Sequence, residues 1–532
     1  MSQTRRLTVT PATDTNGCCS TAPLTSLAVA NPAAASSTSA CCGDPTSDAA
    51  TGACCSDPAD SCSCQTTTER TERTARVDVV SRRREAGATA AGRLPVAVIG
   101  AGPIGLAAAA HLLEKGETPI VFELGDAVGA SIREWGHVRL FSPWRYLVDP
   151  AARRLLEAAG WAVPNEEQVP TGHELVAQLL EPLAAHPALA PHIRLGRRVV
   201  AVSRQGYDKV KSAGRDTAPF ELVVRAPDGR VERVLVRAVI DASGTWYAPN
   251  PLGAAGLVAE GEAEHVGRIR YGIPDVRARE RGRYAGRRTL VVGSGHSAFN
   301  TLLDLASLAD EVPGTEIVWA IRRSDVGQMF GGGGKDQLEA RGALGTQLQA
   351  LVDEDRVRLV TGFRVVRVVE DEGALSVESD DGQRIGPVDE IVVATGFRPD
   401  VSLARELRLR LDPWLEAPEQ LAPLIDPNLH SCGTVYPHGA VELAHPEKDF
   451  YLAGMKSYGR APTFLMLTGY EQVRSIACAL VGDEAGARSV ELVLPETGVC
   501  QTDLGGTLGG SCCSTAGRDQ QNTGVDGLVT IG

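Results

Sequence analysis

The polar and apolar positions divide the chain into three parts. Residues 1–92 are rich in Ser, Thr, Ala, Gly, Pro and Asp, with few large apolar residues and no sustained period of 2 or 3.6. Such a segment cannot bury enough surface to offset its ordering entropy, so disorder is expected there. The pattern changes abruptly at Leu94-Pro95-Val96-Ala97-Val98-Ile99. That continuous run suits a strand buried on both faces of a parallel sheet. Similar runs recur at Pro119–Phe122, Val239–Asp241, Thr289–Val292, Glu316–Ile321 and Ile391–Val393, and helical patterns follow several of them. The alternation predicts an α/β fold. Beyond about residue 495 the chain is again Gly-, Ser-, Thr- and Cys-rich.

Two of the predicted strands pass into helices through glycine turns. The first turn is Gly100-Ala101-Gly102-Pro103-Ile104-Gly105, ahead of an Ala-rich helix. In such a fingerprint the first glycine permits the tight turn and the second lets the backbone approach a pyrophosphate. The third lets helix and strand pack closely. The helix N-terminus then offers free N–H groups to phosphate. The next strand, Pro119–Phe122, ends in Glu123, an acid placed to bind both ribose hydroxyls and to repel a 2′-phosphate.

The second turn is Gly293-Ser294-Gly295-His296-Ser297-Ala298, where Ala298 is a permitted small residue at the third position. Its following strand ends in Arg322-Arg323 instead of an acid. A guanidinium fork pairs with a 2′-phosphate, which favours NADPH over NADH. The competing explanation is the chain's general abundance of arginine. His296 suits either a position over the nicotinamide or pyrophosphate or a solvent-facing helix start. Two such folds about 190 residues apart are the signature of a flavoprotein pyridine-nucleotide oxidoreductase. The first fold would bind FAD, and the second would bring NADPH to the flavin. The expected organisation is two Rossmann-like domains between Cys-rich tails. It runs 1–92 tail, 93–280 FAD-binding, 281–388 NAD(P)H-binding, 389–495 FAD-binding again, and 496–532 tail.

Charge and cysteine placement narrow the class. The net charge is −13, and residues 1–93 carry nine Arg and nine Asp or Glu, so the deficit sits on the body. An acidic body is a poor match for nucleic acid or an anionic membrane surface. No apolar run reaches about 18 residues, so no membrane span is expected. Arg5-Arg6 lacks the apolar core of an export signal, and a cytoplasmic location is expected. Of 13 cysteines, none lies between residues 65 and 431. A redox disulfide inside either nucleotide fold is therefore excluded. The vicinal pairs Cys18-Cys19, Cys41-Cys42, Cys54-Cys55 and Cys512-Cys513 are candidate ligands for a soft metal or metalloid. They are equally compatible with extensions of no defined role.

Val239-Ile240-Asp241-Ala242-Ser243-Gly244-Thr245-Trp246-Tyr247-Ala248-Pro249-Asn250 and Ile391-Val392-Val393-Ala394-Thr395-Gly396-Phe397-Arg398-Pro399-Asp400 carry a resemblance. With the paired fingerprints they resemble flavin-containing monooxygenases over roughly residues 94–480. They are also similar to monooxygenase-like flavoproteins found with arsenic-resistance genes. The resemblance implies FAD, NADPH, a small soft substrate and O2, and it places Gly396 and Gly454 beside the cofactors. Where those monooxygenases carry F-x-G-x-x-x-H, this chain reads His265-Val266-Gly267-Arg268-Ile269-Arg270-Tyr271. Tyr271 thus stands in place of the histidine, and oxygenation and reduction both stay open. So do a tail-assisted metal reductase and a flavin redox sensor or thiol metal-buffer.

Near the end of the body, the acid of an Ala-Gly-Asp strand end is replaced by Met455-Lys456. Pro462 suits the first turn of the next helix. Arg460 or Lys456 would stabilise negative charge on a reduced flavin, or simply be a surface charge. Catalytic candidates are Tyr271, His296 and Arg460. The Gly331–Gly334 run with Lys335 reads as a phosphate-reaching loop or a plain flexible one.

Overall fold

The β-branched runs form the strands their continuous apolarity predicts, because each is covered on both faces. The computed structural model describes residues 93–326, 329–330, 339–429 and 437–492. A parallel five-stranded sheet has the order Phe450–Leu452, Ala238–Asp241, Val96–Ile99, Pro119–Phe122, Ile193–Arg194. On one face lies the Ala-rich helix Pro103–Glu114, packed against the helices Pro150–Ala158 and Met466–Leu480. Its small side chains let it sit close to the sheet. On the other face, Phe220, Leu222 and Val224 of an antiparallel three-stranded sheet meet Ala97, Ile99 and Val239.

The same three layers recur. The second parallel sheet has the order Arg358–Val360, Glu316–Ala320, Arg288–Val292, Glu390–Val393, Ile269–Tyr271. The helix His296–Glu311 covers one face, and the antiparallel strands Val365–Asp371, Ala374–Ser379 and Arg384–Val388 cover the other. The Ile269–Tyr271 and Glu390–Val393 strands pair with each other and belong to this second unit. The expected boundaries at 280/281 and 388/389 therefore fall inside it. The pairing joins residues more than a hundred positions apart, and local composition carries no mark of it.

The chain crosses between the units twice, side by side. The Asn250 N–H donates to the Gly396 carbonyl at 2.9 Å, and the Arg398 N–H donates to the Ala248 carbonyl at 2.8 Å. Pro249 and Phe397 form an antiparallel bridge there. The two segments singled out in the sequence thus make one two-stranded junction.

The helix after the last strand begins at Met466, with Leu465 at its cap, so Pro462 lies in the preceding loop and not in the first turn. No described helix is long and apolar enough to cross a membrane.

Candidate functional site

A cavity of about 520 Å³ opens at the C-terminal ends of the first sheet's strands. In open α/β sheets ligands bind in this place. Gly100 has φ +99°, and a Cβ there would lie 2.8 Å from the Ala242 carbonyl oxygen on the neighbouring strand end. A Cβ on Gly105 would lie 1.9 Å from the Gly100 carbonyl oxygen. At Gly102, which caps the helix, nothing stands within 4 Å of a Cβ. The turn is closed where strand and helix meet and open where a pyrophosphate would approach. Pro103 opens the helix and adds no N–H to satisfy. Glu123, buried, accepts from the Ala101 N–H at 2.7 Å and the Gly125 N–H at 2.9 Å.

A dinucleotide bound in this cavity would run across the sheet along the strand order. Its adenosine half would fall at Glu123, its pyrophosphate at Gly102, and its other half at the ends of Ala238–Asp241 and Phe450–Leu452. Gly454 lines the cavity there with φ +69°, its N–H donating to Gln472 Oε1 at 2.8 Å. Beyond it the wall turns apolar with Ile104, Ile132, Trp135, Leu175, Phe464 and Met466. Tyr247 also lines the cavity, and burial and then Glu134 push its phenol well above the usual range. These residues fit FAD: an open glycine cradle, an acid for ribose, and an apolar end for a flat ring system.

Lys456 is not a surface charge. Its side chain is 2% exposed, and its ammonium lies 2.7 Å from Asp241 Oδ2 and 3.0 Å from Ser243 Oγ at the cavity wall. Arg460, considered beside it, is exposed and is not among the lining residues. Tyr271 is also elsewhere. Its hydroxyl donates to buried Glu262, which accepts in addition from the Leu252 and Ala259 N–H groups. Burial and then the Glu262 carboxylate hold that phenol in its protonated form. The tyrosine pins a loop, and it lines a separate cavity with Pro249, Leu257 and Val266.

The second fingerprint repeats the first. Gly293 has φ +134°, and a Cβ there would lie 2.2 Å from the Ala394 carbonyl oxygen; Gly295 faces open space, and Ala298 is buried. Ser297 lies in the first turn, its carbonyl accepting from Thr301 Oγ1. His296 opens the helix, its ring 5.4 Å from that of Phe141 of the first unit and 6.0 Å from that of Phe299. Arg322 is exposed and Arg323 half-buried just past the Glu316–Ala320 strand. Gly396, with φ +91°, belongs to the crossing and not to the first cavity's wall.

The tail cysteine pairs, Cys432, Lys335 and the Gly331–Gly334 run lie outside the described residues. Among the described residues no group of three or more His, Cys, Asp or Glu is arranged to hold a metal, and the free cysteine, Cys478, is buried on the Met466–Leu480 helix. No cysteine is among the described residues that line the first cavity. Reading the sequence missed the Asp241–Lys456 pair and the Trp135 wall. Asp241 carried one signal, an acid closing an otherwise apolar strand.

Two dinucleotide-type folds joined by one double crossing define a two-nucleotide oxidoreductase class. The chain belongs to the pyridine nucleotide-disulphide oxidoreductase family, whose model matches residues 94–446. Membership supports FAD as a cofactor and marks the protein as an oxidoreductase. Flavin-containing monooxygenase 1 of Homo sapiens is 24% identical over 220 residues, which are 41% of this chain and 39% of that protein. The chain thus spans about two fifths of the curated relative it matches. The fold is similar to that of Bacillithiol Disulfide Reductase Bdr (YpdA) from Bacillus cereus, with TM-score 0.54 and 20% identity over 74% of this chain and 100% of that one. The Staphylococcus aureus protein of the same name gives TM-score 0.52 and 17% identity over the same shares.

Proposed function

We propose that this protein is an FAD-dependent, NADPH-consuming monooxygenase acting on a small soft substrate bearing sulfur, nitrogen or a metalloid. The observation that carries the reading is the wall of the first cavity. It joins an open glycine cradle to an apolar end built from Trp135, Leu175, Phe464 and Met466, with no cysteine among its described residues. Among the described residues of that wall no disulfide stands ready to accept electrons arriving there. The sequence likeness to a flavin-containing monooxygenase supports the same direction.

Bound FAD supplies two-electron redox chemistry; the chain supplies position and exclusion of water. Gly100, Gly102 and Gly105 set the turn, and Glu123 offers its remaining lone pairs to ribose. The apolar side chains keep water from the ring. Arg322 and Arg323, just past the Glu316–Ala320 strand, would pair with a 2′-phosphate on the second fold. In the overall balance, substrate, O2, NADPH and a proton give oxygenated substrate, NADP+ and water.

The test is oxygen accounting. Purified full-length protein is given NADPH, ¹⁸O2 and a panel of thioethers, amines and arsenite. One ¹⁸O atom in product per NADPH consumed supports the proposal. Hydrogen peroxide equal to NADPH consumed with every substrate overturns it. NADPH consumption that continues without oxygen, in the presence of a disulfide or metal ion, also overturns it and favours a reductase.

A further inference from the structure

We infer that Lys456 is a flavin-contacting cation, held ready by Asp241, that strengthens FAD binding and favours its reduced form. The inference rests on FAD occupying the first cavity.

Three observations meet at this residue. The first is burial: both side chains of the pair are out of water, at 2% and 0% exposure. A buried ion pair is weak evidence for stability, because desolvation offsets much of the attraction. Its presence needs another account. The second is position. Asp241 closes the strand beside Val96–Ile99, opposite Ile99, and Lys456 follows the next strand out. This is the side of the glycine turn away from Glu123, where the non-adenosine half of the dinucleotide falls. Lys456 and Ser243 both line the cavity.

The third is donor arithmetic. An ammonium carries three donors. Asp241 Oδ2 and Ser243 Oγ take two, at 2.7 and 3.0 Å. Asp241 Oδ1 is meanwhile occupied by the Ser243 N–H at 3.1 Å and the Ser243 hydroxyl at 2.6 Å. The pair and Ser243 hold one another in place, and the lysine keeps a donor for an oxygen in the cavity. The acceptor chemistry is that of a ribityl hydroxyl or the flavin's C2 carbonyl. Two-electron reduction places negative charge on the ring near that carbonyl, so a fixed cation there interacts more strongly with the reduced form. The strand end thus carries a base, and its charge is balanced by Asp241 from the neighbouring strand.

Lys456→Met alone would leave Asp241 buried and unpaired, so the informative variant is the double Lys456→Met, Asp241→Asn, with Asp241→Asn as companion. Apoprotein is titrated with FAD by fluorescence quenching, and the two-electron potential is measured on the loaded full-length chain. The double variant is expected to bind FAD about tenfold more weakly and to sit about 30 mV lower, the equivalent of a tenfold loss for a two-electron couple. Asp241→Asn, which keeps the cation and removes its counter-charge, is expected to move the potential upward. A double variant with wild-type affinity and potential would overturn the assignment and leave the pair as a structural pin. Wild-type apoprotein that fails to quench FAD would overturn the cofactor reading as well.

Discussion

The backbone N–H of Ala101 donates to Glu123 Oε2 at 2.7 Å, and Gly125 donates to Oε1 at 2.9 Å. One carboxylate therefore ties the glycine turn to the end of the second strand before any nucleotide arrives. Glu123→Ala leaves two donors without an acceptor, each costing about 1–3 kcal/mol where buried. It also removes the ribose contact. The expected result is a lower thermal midpoint for apoprotein and FAD affinity reduced at least about tenfold, the size of one charge-assisted hydrogen bond. Calorimetry and fluorescence titration check the two parts. An unchanged FAD affinity would remove Glu123 from the site.

Gly100 and Gly102 separate folding from binding. At Gly100 an added methyl meets the Ala242 carbonyl oxygen at 2.8 Å in a left-handed backbone, so Gly100→Ala is expected to destabilise apoprotein by about 1–3 kcal/mol. At Gly102 the backbone is extended and nothing stands within 4 Å. Gly102→Val should leave urea unfolding of apoprotein near wild type while abolishing FAD binding, because the side chain fills the pyrophosphate's place. Loss of stability in the second variant with FAD retained would contradict the cradle.

The arginines beyond the second unit's strand are expected to set nucleotide choice in the proposed reaction. Replacing both Arg322 and Arg323 by Ala is expected to lower kcat/KM for NADPH about tenfold or more, as loss of a charge-assisted pair would. The value for NADH should change little. The ratio of the two, measured by flavin reduction without oxygen, is the readout. Equal losses for both nucleotides would assign the arginines to folding.

Local features were legible in the sequence; partners far along the chain were not. The runs Val96–Ile99 and Thr289–Val292 announced themselves because burial on both faces demands near-continuous apolarity, and each glycine turn follows its strand directly. Glu123 was found by its distance from the turn. Lys456 reads in the sequence as either a flavin-side cation or a surface charge, and its pairing with Asp241 does not show there because that partner lies 215 positions away. Tyr271 shows the same limit from the other side. Its place in the motif suggested chemistry, and only the fold reveals Glu262 against its hydroxyl. The unit boundaries were misplaced for a related reason: Ile269–Tyr271 and Glu390–Val393 become neighbours only once the second sheet is assembled.

Acid should weaken the fold through a group remote from the site. Glu447, fully buried, pairs with Arg204 at 2.7 Å and Arg215 at 2.5 Å and accepts from the Arg408 N–H at 3.0 Å. The cluster ties the first unit's antiparallel sheet to the loop ahead of the Phe450–Leu452 strand. Burial works to raise the carboxyl's pKa, but the hydrogen bonds from Arg204 and Arg215 outweigh it, and the group lies below its ordinary value. A depressed carboxylate contributes stability that is fully present above the unfolded value of about 4.3 and is lost as pH falls through the folded one. Glu447→Gln has no charge to lose, but it leaves two buried guanidinium groups without a counter-ion. Breaking a buried pair in this way costs about 3–5 kcal/mol. Urea midpoints at pH 7 should therefore place the variant well below wild type, and the gap should narrow as pH drops below about 4. A gap that stays constant with pH would mean that the carboxylate's charge contributes nothing and that packing alone holds the cluster.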